Sequence, residues 1–88
     1  MKLIIAIVKD SDAMAVTDTL VAEGLGVTRV ASTGGFLRRG NVTLLIGVEP
    51  EAVERVFELV EESCHVPEPG QHKATVFVLP AEEFTQLG

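Results

Sequence analysis

Apolar positions fall along this chain in two rhythms, one of period two and one of three to four. Leu3–Val8 (LIIAIV) is a short, unbroken, largely β-branched run and predicts a strand covered on both faces. Asp10-Ser-Asp12 then offers N-cap candidates and first-turn acid for a helix. Ala13, Val16 and Leu20, with Met14 and Val21, are expected on its buried face, and Gly24 or Gly26 to end it. Val27–Thr33 and Val42–Val48 read as the second and third strands. Pro50 suits a first helical position, and Val53, Val56, Phe57, Val60 and Cys64 follow the spacing of one buried helix stripe. His65–His72 is a loop by its prolines and glycine. Ala74–Leu79 is the last strand, stopped by Pro80, and the tail has Phe84 as its large anchor.

The order βαββαβ predicts an α+β, ferredoxin-like domain over residues 1–88, a four-stranded antiparallel sheet with two helices on one face. Two helices cannot cover both faces, so a one-sided sheet should alternate apolar with polar. It does not: Leu3, Ile5 and Ile7 are apolar as well as Ile4, Ala6 and Val8, and Leu45 and Phe77 add to the surplus. The second face is therefore expected to be buried by other subunits.

Length and charge narrow the function. Eighty-eight residues leave room for one domain, and burial against a partner chain would help so small a core. A net charge of −6 argues against a protein that neutralises nucleic-acid phosphates. No apolar run is long enough to span a membrane, and the N-terminal run ends at Lys9 without a cleavage site, so no signal peptide is read. One cysteine cannot form an internal disulfide, which fits the cytoplasm.

The unusual stretch is ASTGGFLRRGN, residues 31–41. Arg29, Arg38 and Arg39 place three of the seven basic residues in or beside it, so a small anion could meet a favourable site on an acidic protein. A two-residue hairpin turn needs Gly-Gly or Gly-Asn, not both with Phe-Leu-Arg-Arg between them. One reading is a hairpin whose glycines satisfy turn geometry, with Phe36 an interface anchor and the arginines solvated. The other is a backbone shaped to hold a ligand.

Thr28, the run STGGFLRRGN at residues 32–41, Gly47 and the closing ATVFVLP together resemble the PII-like cyclic-di-AMP receptor family, over nearly the whole chain. The resemblance implies a homotrimer that binds cyclic di-AMP in clefts between adjacent subunits, signals to a downstream protein target still to be identified, and has neither catalytic activity nor a cofactor. Carried over by position, the ligand contacts would be Thr28, Gly35, Phe36, Leu37, Asn41, Gly47 and Gln86. The residue types suit the task. Gly35 admits a close ligand, the Thr28 hydroxyl and Asn41 amide can bind a purine edge or phosphate, and Phe36 can stack on a base. The chain departs from typical members in lacking a side chain at Gly26, in having Leu87 where an aromatic often stands, and in the brevity of His65–His72, where relatives carry a longer ligand-responsive loop.

Cys64, His65 and His72 match no established zinc spacing, and Cys64 belongs to the buried stripe, so no metal is expected. Neither Glu82-Glu83 nor any Ser, His or Cys stands in a catalytic arrangement. Three functions stay in contention: a cyclic di-AMP receptor, a trimeric interaction module that has lost ligand control with its loop, and a binder of another adenine nucleotide.

Overall fold

Side-chain alternation along the strands decides which side of the sheet is packed. The computed structural model describes residues 1–30, 40–82 and 87. Strand β1 is Lys2–Lys9, β2 is Val27–Val30, β3 is Asn41–Val48 and β4 is Ala74–Pro80. They form one antiparallel sheet in the order β2-β3-β1-β4, so β1 and β3 are central. Helix α1, Asp10–Ala22, follows β1 directly; a 3₁₀ turn, Pro50–Ala52, leads into α2, Val53–Ser63. This is the expected βαββαβ arrangement.

Ile4, Ala6 and Val8 of β1 and Val42, Leu44, Ile46 and Val48 of β3 point to the helices and are buried with Ala13, Val16, Leu20, Val56, Leu59, Val60 and Cys64. Fully burying one such aliphatic side chain stabilises by about 1.5–3 kcal/mol, so this layer holds the fold. The opposite face carries Leu3, Ile5, Ile7 and Leu45, partly buried, while Phe77 and Leu79 of β4 are largely exposed. The register aligns Leu45, Ile5 and Phe77 in one cross-strand row. The surplus of apolar residues on the uncovered face is thus real.

Several local expectations need correction. Asp10 and Asp12 do not cap α1: Lys9 holds the N-cap position without a side-chain cap, and both acids lie in the first turn. Met14 and Val21 were expected on the buried face but are 71 % and 55 % exposed. The stripe Ala13, Val16, Leu20 fixes the packed side, and each misplaced residue is one step of about 100° beyond a stripe member. In α2 the buried face turns toward Leu59, which the sequence stripe omitted, while Val53 and Phe57 are half-buried. Residues 31–33, assigned to the second strand, and Phe84 lie outside the described residues.

Both helices are bounded as their residues dictate. Gly24, at φ +83°, ends α1: its N–H donates to Val21 (2.9 Å) and that of Leu25 reaches back to Leu20 (3.1 Å). This pair of bonds satisfies terminal carbonyls and needs the left-handed backbone glycine adopts readily. Pro50 opens the 3₁₀ turn before α2, where a missing N–H costs nothing.

Candidate functional site

Three of the residues singled out in the sequence can be placed. Asn41 and Gly47 lie toward the two ends of β3, an even number of positions apart, and therefore share a face. Thr28 of β2 pairs with Leu45, two residues from Gly47, and so joins the same side. That side is the one the helices leave uncovered. The residues do not converge on one point, however. Six residues of strand span about 20 Å, so Thr28 and Gly47 form one cluster and Asn41 another. Between them Thr43 is buried, and its Oγ1 has no hydrogen-bond partner among the described residues. Gly35, Phe36, Leu37 and Gln86 lie outside the described residues, as does nearly all of the glycine-rich stretch. Arg29 is described, and its guanidinium donates to Asp10 (3.3 Å), which engages its charge at the edge of the sheet.

Asn41 opens onto a cavity of about 350 Å³ at the end of the sheet where β1 leaves and β3 and β4 enter. Lys9, which pairs with Asn41 across the sheet, lines it, as do Gln71, His72 and Lys73 of the connection preceding β4. A larger cavity of about 460 Å³ lies between α2 and β4 and is framed by Phe57, Val60, Val76 and Lys73; none of Thr28, Asn41 and Gly47 borders it.

The connection from α2 to β4 is fastened at both ends. On the near side, the Asp12 carboxylate, 1 % exposed, accepts from the backbone N–H of His65 (3.2 Å) and faces the His65 imidazole Nδ1. On the far side, the Lys9 ammonium donates to the side-chain amide oxygen Oε1 of Gln71 (3.0 Å). In between, Glu68-Pro69-Gly70-Gln71 makes a tight turn, closed by the Gln71 N–H on the Glu68 carbonyl (3.0 Å), with Gly70 at φ +82°. Proline second and glycine third is the order such a turn requires. Neither Asp12–His65 nor Lys9–Gln71 was found from the sequence, because more than fifty residues separate each pair. The Pro-Gly dipeptide was the available signal that this loop folds back. Cys64, just before it, is a packed thiol of the core; burial pushes its pKa up, the Asp12 charge adds to this, and Lys73 opposes it.

Residues 1–69 match the cyclic-di-AMP receptor family, a span that includes Thr28, Gly35–Leu37, Asn41 and Gly47 and stops before Gln86. The chain belongs to that family. A solved structure, the crystal structure of a functionally unknown protein from Pediococcus pentosaceus ATCC 25745, is 38 % identical and superposes with a TM-score of 0.76. The alignment covers 98 % of this chain and 96 % of that one, so the two are of similar length.

Proposed function

We propose that this protein is a non-catalytic receptor for cyclic di-AMP that acts in the cytoplasm as a homotrimer, with ligand held in clefts between adjacent subunits. One observation carries the reading: Thr28, Gly47 and Asn41 all stand on the uncovered, apolar sheet face, yet lie too far apart along it to enclose a ligand on one chain. A second copy seated on the row Leu45, Ile5, Phe77 would bury that face and close the two clusters into clefts. Gly35, Phe36 and Leu37 would complete the binding surface from one chain, and Gln86 from the tail. No helix among the described residues is long and apolar enough to cross a membrane.

Sedimentation and isothermal titration test this together. The expected result is a three-chain particle that binds cyclic di-AMP more tightly than cyclic di-GMP or ATP. Asn41→Ala should weaken binding by about 1–3 kcal/mol, roughly five- to 150-fold, because a buried polar contact is left unpaired. An intact trimer that takes up no cyclic di-AMP at high micromolar concentration would favour the interaction-module reading. That alternative draws on the connection 64–73, only ten residues long, as a diminished ligand-responsive loop.

A further inference from the structure

The cavity beside Asn41 has an electrostatic character at odds with the rest of the molecule. The chain has thirteen acidic residues against seven lysines and arginines, yet among the described residues the cavity is lined by two lysines, a histidine and no carboxylate. Lys9 is held in place: Gln71 takes one of its three N–H donors, leaving two for a ligand. Lys73 likewise spends one donor on the Glu61 carbonyl (3.2 Å) at the end of α2. Asp10, the acid nearest Lys9 in the chain, is engaged by Arg29. The Pro69-Gly70 turn is what brings Gln71, His72 and Lys73 back over the end of the sheet. A cavity of this size, with ammonium and imidazole donors beside a carboxamide, suits a phosphoryl group bridging to a larger body.

We propose that this cavity is an anion compartment for a phosphate of the ligand, with Lys9 and Lys73 as its cationic walls and the His72 imidazole beside them. The short α2–β4 connection then acts as part of the binding wall and not merely as the remnant of a lid. The inference rests on the receptor reading for the ligand's identity, but the compartment itself recognises phosphoryl oxygens of any source.

The test uses the full chain and two probes. Inorganic pyrophosphate, followed by amide NMR, should shift Lys9, Asn41 and Gly70–Lys73 saturably, and those shifts should vanish in the Lys9→Gln/Lys73→Gln double variant. Both lysines lie at the molecular surface, and circular dichroism checks that the variant is folded. Cyclic di-AMP affinity, measured calorimetrically, should fall roughly tenfold or more in the same variant, the scale of one lost hydrogen bond to a charged group. Absence of pyrophosphate shifts at these amides in the parent overturns the compartment. So does unchanged cyclic di-AMP affinity in the folded variant, which would leave the receptor reading standing. A parent that takes pyrophosphate here but not cyclic di-AMP supports the compartment and removes the receptor reading.

Discussion

Replacing Asp12 with alanine should loosen the attachment of the α2–β4 connection, and a double-mutant cycle with His65 measures by how much. Asp12 is one of two buried polar side chains among the described residues, and its carboxylate is nearly inaccessible. It accepts from the His65 backbone N–H and pairs with the His65 ring. A hydrogen bond to a charged group contributes about 1.5–3 kcal/mol. Two such contacts to one oxygen do not add in full, because the His65 side chain is 79 % exposed and its ring can turn to water. Removing the carboxylate also relieves its own cost of burial. The net loss expected for Asp12→Ala is therefore about 1–3 kcal/mol. His65→Ala removes the ring contact but keeps the backbone N–H, and should cost about 1 kcal/mol. In the double variant the His65 loss should largely disappear, a coupling energy of about 1 kcal/mol. Urea unfolding at one fixed protein concentration reads all four corners of the cycle. Losses that add within about 0.3 kcal/mol would refute the ring pairing and leave the His65 backbone N–H as the only contact of the two that Asp12 makes with this connection.

Gly24→Ala should cost about 1–2 kcal/mol from the left-handed backbone alone, since an added Cβ there meets nothing within 4 Å; a loss above that range in a thermal melt would show an overlooked steric contact. Cys64 should react slowly with iodoacetamide at neutral pH in the native protein and quickly after denaturation, because burial favours its neutral thiol. The same raised pKa makes the thiol's contribution to stability complete at neutral pH and lost as pH climbs beyond about 8.5, where the unfolded chain ionises first. A Cys64→Ser protein whose stability falls as steeply above that pH as the parent's would contradict the assignment.

Local periodicity made most of this architecture legible. The two apolar faces of β1 were visible in LIIAIV, the α2 stripe in its spacing, and the end of α1 in Gly24. Errors arose where a helix face is decided by what it packs against: Met14 and Val21 are as apolar as their buried neighbours, and only the tertiary surface excludes them. The shared face of Asn41 and Gly47 follows from counting along one strand. That Thr28 joins them depends on the β2–β3 register, which its local sequence does not encode. The clasps Asp12–His65 and Lys9–Gln71, and the basic cavity that Lys9 and Gln71 line, join distant parts of the chain and have no local signature.

The strand order also sets a schedule for folding. β1 precedes every other strand in the chain yet lies between β3 and β4, with Lys2 opposite both Val48 and Pro80. During synthesis its two apolar faces and both hydrogen-bonding edges wait for partners made much later, a non-local pairing that slows folding and exposes a sticky ribbon meanwhile. The ribosome-bound intermediate lacking β4 is then the species a chaperone would meet. Pulse-labelled exchange should find β1 amides on the β4 side gaining protection only when β4 itself docks.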